Sequence, residues 1–576
     1  MFHLATPQNT KRAQPQLGSI TPVAIPAKGL NARDTLALMG PEYAISLVNA
    51  ICEPYGLRTR KGYTEWAAGL PGAFPVHTVM SYYPATASPA LALSARMRRL
   101  PMPRRLFVEP RSVADPPAGK LFAATNGGHI YDVTAGGGGP WTAEAGVIAP
   151  GATDFWTWLN FQNLAGAFLV ACNDDGGYAY YNGSAWSQPV AGTGVGQIDG
   201  CDPANFCFVM EHMKRLWFIE KASTSGWYLP VSQVTGTVTE FPFGEQFRHG
   251  GFLAALVRWT VDTGIDINDK LVAVSSQGDI VVYTGTDPNS SDTWQLQGVW
   301  YVGPLPLGRR SVINTGADVH VLSQFGVTSI SRLLSTVDQA QQENQRITYL
   351  ISPIIARLIR ESSNLPGWKI VSIPKEELFL IGVPPDSLEF GGQYFTLKVP
   401  TNGWSLVKDV PYASFVSIDA DCFAGTYDGR VVRAFDGPVD NVLIGQHTGT
   451  AITCQVTPAY NSMEQGFPLG AHQKVFKMFR PTFIATIPPQ LTVEVLLNYE
   501  GPKRGVFNPT MPPSTDARWD LSLWDVGKWS GLQAPIKMWI GLHGVGFAGT
   551  AQIDYVCGGD TVLAAIDYWT EAGGIL

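Results

Sequence analysis

The sequence predicts an all-β fold: a β-propeller of roughly six or seven blades, an additional β platform built from the N- and C-terminal segments, and one inserted helix. Three observations predict it. First, five ten-residue windows align without a gap: LFAATNGGHI (121–130), LVACNDDGGY (169–178), LVAVSSQGDI (271–280), VHVLSQFGVT (319–328) and CFAGTYDGRV (422–431). Each is a largely apolar run, a polar step, and glycine at the eighth place, namely Gly128, Gly176, Gly278, Gly326 and Gly429. Glycine suits the tight bend of a hairpin because positive φ costs other residues a Cβ clash. Second, these glycines are spaced by 48, 102, 48 and 103 residues, and each long gap holds a weaker copy, RLWFIEKASTSGWYL (215–229) and ELFLIGVPP (377–385). A unit of about fifty residues, strand–turn–strand–loop–strand, therefore recurs, as blades do. Third, several units place a tryptophan after the second strand and its turn: Trp141, Trp186, Trp294 and Trp404. A large aromatic at the head of an outer strand packs between neighbouring sheets. A long β-sandwich, or a set of unrelated meanders, is the alternative, and it does not account for the phasing of the glycines.

Composition agrees. With 576 residues the chain exceeds one ordinary core. Lys+Arg 40 against Asp+Glu 47 gives a net charge of −7, which argues against a protein that coats DNA. Charged residues make up only 15%, while Gly 61 and Pro 42 are abundant, as in a turn-rich β chain or one that hides surface in subunit contacts. The seven cysteines are scattered with no Cys-x-x-Cys, so free buried thiols are expected and zinc is not. MFHLATPQNTKRAQ lacks the apolar core of a secretory signal, and no run of eighteen apolar residues occurs; assembly in a cytoplasm, without a membrane span, is the expectation.

Taken in order, residues 1–20 are polar and read as an arm, either a disordered tail or a clasp on a neighbouring subunit. Residues 21–75 read as platform strands, with AISLVNA alternating at period two and Gly56-Leu-Arg-Thr-Arg placing Arg58 and Arg60 on one strand face. Two arginines there are candidates for pairing with a neighbouring subunit, a solvated edge being the plainer reading of each. Within the propeller, 76–445, the run RMRRLPMPRRLFVEPR is strongly basic. It holds Arg96, Arg98, Arg99, Arg104, Arg105 and Arg111 against Glu109 alone, and reads as a proline-rich rim loop that is solvated, meets an acidic partner, or touches DNA phosphate. Residues 335–362 predict a helix, an insertion at about 338–361, capped by Ser335 or Thr336 and broken near Leu350 by Pro353. From 446 to 576 longer strands form a C-terminal β platform domain, and Trp519, Trp524 and Trp529 read as pins for a loop.

No catalytic, cofactor or metal motif stands out. His-x-x-x-His, Gly-x-Ser-x-Gly and Gly-x-x-x-x-Gly-Lys are all absent from the sequence. Asn173-Asp174-Asp175-Gly176 and the trio Asp262, Asp266, Asp269 read as turn chemistry rather than calcium loops. Carboxylate pairs drawn from distant blades remain open to a glycosidase.

One stretch carries a resemblance. Pro26, Gly29, Leu30, Asn31, Arg33, Asp34, Ala44, Leu47, Asn49, Pro54, Gly56, Leu57, Arg58, Arg60, Gly62 and Tyr63, ahead of the hairpins, resemble the tail nozzle proteins (tail tubular protein B or tail-hub family) of short-tailed bacteriophages. The match covers about a tenth of the chain, and the propeller and C-terminal strands follow in the family's order. The resemblance implies a virion protein without enzymatic activity or cofactors, a homohexamer around the DNA exit channel. Its implied partners are an adaptor ring, tail spikes or fibres, and viral DNA passing without sequence-specific contact. A carbohydrate-binding or glycosidase propeller and a scaffold propeller are the alternatives.

Overall fold

In the computed structural model, residues 18–70, 74–84, 119–137, 153–262, 267–316, 318–335, 346–418, 421–463, 473–500 and 534–573 are described. They divide into two units, residues 60–400 with 406–450, and residues 1–59 with 401–405 and 451–576.

The first of these units is a β-propeller. Among the described residues, successive antiparallel sets of three or four strands, numbered as sheets along the chain, begin at the inner strands Thr78–Tyr82, Trp156–Asn163, Phe206–His212, Leu253–Asp262, Val312–Asn314, Lys369–Ile373 and Tyr412–Ile418. Stacked sheets are covered on both faces, so their middle strands are apolar throughout rather than alternating. Leu271–Val274 and Ile280–Val282 in the fourth sheet are fully buried on both faces. Apolar clusters or ring contacts join each sheet to the next. Phe122 and Trp186 join the first and second sheets, Phe206 and Phe218 pack with Val170 between the second and third, and Trp217 packs with Leu271 between the third and fourth. Val272 meets Val321 between the fourth and fifth. His320 lies 5.3 Å from Phe379 between fifth and sixth, and Tyr394 lies 5.6 Å from Phe415 between sixth and seventh. The circle is completed by Val79 and Leu121 of the first sheet against Phe423 and Val431 of the seventh.

Closure is by strand exchange between chain ends. The seventh sheet runs Tyr412–Ile418, Asp421–Thr426, Val431–Ala434 and then Tyr63–Ala67, with Ala434 opposite Tyr63 and Arg433 opposite Thr64. Residues 60–70, expected in the platform, thus supply the propeller's last strand. All five phased glycines have positive φ; four lie between the second and third strands of their sheets, and Gly326 is the first residue of its third strand. At Gly278 (φ +91°) an added Cβ would sit 2.0 Å from the Gly303 carbonyl oxygen, so this bend admits glycine alone. Trp186 and Trp294 open the outer strands of the second and fourth sheets and are buried, as the pattern predicts. Trp141 lies outside the described residues.

Of the two candidate caps of the helical insertion, Thr336 lies outside the described residues, as does the expected start at about 338. Ser335 ends a short helix, Ile330–Ser335, instead of capping one, because Ile330 continues directly from the third strand of the fifth sheet. After residues outside the description, a 3-10 turn Tyr349–Ile351 leads into the helix Ser352–Ser362, with Pro353 in its first turn, where its missing N–H leaves no carbonyl unpaired. Ile355, Leu358 and Ile359 form its buried face. No described helix is long and apolar enough to cross a membrane.

The second unit is the platform. One sheet orders Ala50–Glu53, Gly56–Thr59, Thr561–Ala572, Lys474–Ala485 and Ala534–Lys537, with Ser19–Val23 paired to Thr561–Ala572. A second run pairs Ala44–Val48, Ile452–Pro458, Gly549–Cys557 and Gln490–Leu497. Alternate residues of Lys474–Ala485 and Gly549–Cys557 turn inward, and Phe476, Phe479, Phe483, Val493, Tyr555 and Tyr568 fill the core between them. N- and C-terminal strands are thus interleaved. Trp519, Trp524 and Trp529 lie outside the described residues.

Candidate functional site

The inner strands of the first, second, third, fifth, sixth and seventh sheets line a cavity of about 420 Å³ at the propeller axis. Its charged wall residues are Arg309, Arg310 and Lys369, and among the described residues no carboxylate lines it. Arg309 and Arg310 arrive on the loop entering Val312–Asn314, and Lys369 is the first residue of Lys369–Ile373.

Arg310 is held by neighbouring blades. Its guanidinium donates to the His77 carbonyl, to Thr78 Oγ1 at 2.6 Å and to the Trp156 carbonyl at 3.3 Å, and stacks 5.1 Å from the Phe155 ring. Arg309 donates to the carbonyls of Leu253 and Ala254 at 3.2 and 2.8 Å. One arginine thus ties the first and second sheets to the fifth, and the other ties the fourth. The Lys369 ammonium donates to the Ala413 carbonyl at 2.5 Å and lies 5.5 and 5.6 Å from the rings of Tyr394 and Tyr427. It forms no ion pair among the described residues. Burial pushes its pKa down to about 7, and the nearby Arg310 charge adds to the effect.

Two carboxyls lie close by. Asp154 hydrogen-bonds His77 Nδ1, and the His77 ring stacks on Phe155 at 4.6 Å. Asp174 sits in the second sheet's hairpin with one carboxylate oxygen buried and unpartnered; burial raises it to about 6 against the opposing pull of Arg310 and Arg309. The hairpin itself is turn chemistry, since Asn173 Oδ1 accepts the Asp175 N–H at 2.9 Å. Asp269 likewise serves the fold, paired with Arg258 at 2.7 Å and Thr260 at 2.7 Å.

Two of the arginines singled out from sequence make internal ion pairs. Arg58 pairs with Glu53 across its own hairpin at 3.2 Å. Arg60 is buried and makes a bidentate pair with Asp440, Nη1 to Oδ1 at 2.7 Å and Nη2 to Oδ2 at 2.6 Å. It is therefore an internal tie and is not available to another subunit, a correction to the expectation from strand alternation. Arg96, Arg98, Arg99, Arg104 and Arg105 lie outside the described residues. Sequence reasoning missed Arg310 and Lys369, and read Asp174 only as part of a turn. The only local signal was Lys369 standing in the apolar run WKIVSI, where a buried cation needs a reason.

Comparison with known proteins adds the following. No family model matches the chain, and no curated protein matches it. Among solved structures, the computationally designed Ika8 protein overlaps 56% of this chain and 82% of its own at 11% identity and a TM-score of 0.32. YCF48 bound to D1 peptide overlaps 56% and 89% at 12% identity and 0.30. An exo-beta-1,3-galactanase from Phanerochaete chrysosporium, solved with galactose, overlaps 71% and 95% at 9% identity and 0.22. The fold assignment rests on the sheet order and the closed circle of contacts between sheets above.

Proposed function

We propose that this chain is a structural subunit of a short-tailed phage tail, a nozzle protein that forms a ring around the DNA exit channel. The observation that carries the reading is what the resemblance-bearing residues do. Gly29 lies where a Cβ would fall 2.3 Å from the Trp404 carbonyl oxygen, and the Leu30 N–H donates to that same oxygen at 2.7 Å. Asn31 Oδ1 accepts the N–H groups of Arg33 and Asp34 at 3.0 and 3.1 Å, and Asn49 donates to the Thr453 carbonyl at 2.8 Å. Asn49 ties the N-terminal segment to the strand Ile452–Pro458, Gly29 and Leu30 pack against the Trp404 backbone, and Asn31 closes its own turn, which is work for a wall and not for a catalyst. In the assembled ring, six copies sit below an adaptor ring, with spikes or fibres attached nearby. With a net charge of −7, a lumen lined by acidic and small polar groups repels phosphate and lets DNA slide.

The purified chain, or the chain co-expressed with the adaptor, is expected to give annular particles of six-fold mass by light scattering and negative stain. A strict monomer under both conditions contradicts the reading. A second reading, a carbohydrate-binding or glycosidase propeller, is favoured by one observation, the Asp174 carboxyl near the axial arginines with one oxygen buried and unpartnered. Release of reducing sugar from a host glycan, lost in Asp174→Asn, selects that reading.

A further inference from the structure

We propose that the axial cavity of the propeller binds one small oxyanion, held by Lys369 with Arg309 and Arg310 in the wall around it. The inference stands on the cavity alone and is independent of the tail assignment.

Four observations carry it. The cavity is large enough for a small hydrated anion, at about 420 Å³. Its wall carries three basic side chains and, among the described residues, no acidic one, and Ser372 also lines it. Arg309 and Arg310 are fixed by carbonyl and hydroxyl acceptors on other blades, so their positive field is preorganised rather than mobile. Lys369 is different. It is 4% exposed, uses one N–H on the Ala413 carbonyl, and has no carboxylate partner among the described residues. A buried ammonium normally has a counter-charge, and an unpaired one costs several kcal/mol. A bound anion supplies the missing charge.

The groups facing Lys369 set the sign of the pH dependence. They are Arg310 from the fifth sheet's entry loop, Tyr394 from its own sheet, and Tyr427 from the seventh sheet's hairpin, with Asp386 beyond Tyr427. Burial raises both tyrosines, which stay neutral at working pH. Asp174 and Asp154 act on Arg310 and leave Lys369 as the surplus cation of the cluster. With its pKa at about 7 in the empty cavity, Lys369 is largely neutral in alkaline solution and must take up a proton when the anion enters. Affinity therefore falls as pH rises.

Sulfate is the probe, because its charge is constant across the range. Calorimetric titration of the full chain is expected to show one site whose affinity drops roughly twenty-fold between about pH 6.5 and about pH 8.5, with proton uptake visible as a buffer-dependent heat. Lys369→Met is expected to weaken sulfate at least about ten-fold at the lower pH and to flatten the profile. Lys369→Arg, always charged, is expected to keep binding but lose the pH dependence. Absence of binding at about 10 mM sulfate, equal affinity at both pH values, or unchanged affinity in Lys369→Met overturns the proposal. The wild-type pH profile decides the matter even if the methionine variant does not fold.

Discussion

Arg60→Ala is expected to destabilise the propeller by about 3–5 kcal/mol, the cost of leaving a buried carboxylate without its partner. Arg60 and Asp440 are nearly inaccessible, with side chains 2% and 10% exposed, and their two short parallel hydrogen bonds leave the carboxylate no alternative donor of equal quality. The arginine also donates to the Lys408 carbonyl at 3.2 Å. Its position magnifies the effect. Arg60 stands three residues before the closing strand Tyr63–Ala67, and the Asp440 backbone N–H is itself held by the Thr450 carbonyl. The pair therefore fastens both chain segments that meet in the seventh sheet. Since native domains are stable by about 5–15 kcal/mol, a loss of this size is a large share of the total. Urea denaturation followed by tryptophan fluorescence reads it as a lowered midpoint. Replacing both partners with apolar residues of similar volume is expected to recover most of the loss, because no buried charge is then left unpaired. A midpoint unchanged in Arg60→Ala would mean that the pair is solvated and does not fasten the closure.

Trp217→Ala is the second large effect, also about 3–5 kcal/mol, from a cavity left in the wedge between the third and fourth sheets. Trp217 is fully buried. Its ring stacks at 6.0 Å and 13° on Trp294 and lies 4.7 Å from Tyr228, with Phe241 and Phe243 each 6.0 Å away. Rigid rings from two sheets meet there, so collapse into the void is poor and the cost stays near the upper end of the range. The indole N–H has no partner, so nothing polar is lost with it. Trp217→Phe is accordingly expected to cost less than half as much, measured as the same urea midpoint. Equal losses in the two variants would assign the effect to something other than volume.

Much of this architecture was legible in the sequence, and the parts that were not share one cause. Gly128, Gly176, Gly278, Gly326 and Gly429 mark hairpins because a bend's φ is a local constraint, visible in ten residues. Trp186 and Trp294 mark outer strands for a similar reason. Pro353 was legible as an interruption near Leu350, and it stands in the first turn of Ser352–Ser362, where its missing N–H is tolerated. By contrast, Tyr63–Ala67 has the local pattern of any half-buried strand, and only its partner Val431–Ala434, far along the chain, assigns it to the propeller. Arg60 was read as exposed because alternation from Arg58 was extended past the strand end at Thr59; its true partner is 380 residues away. The axial cluster is the extreme case. His77, Asp154, Asp174, Arg310 and Lys369 come from five separate stretches, and only closure of the circle brings them within reach of each other.

The central physical claim is that the two ends of the propeller segment are sewn together in one sheet. Hydrogen exchange read by mass spectrometry on peptides spanning 60–70 tests it most directly. If Tyr63–Ala67 is the last strand of the seventh sheet, its amides exchange as slowly as those of Asp421–Thr426 and Val431–Ala434, and all three are released together in Arg60→Ala. Rapid exchange of 63–67 while the other two strands stay protected would show that the circle is not closed by this strand.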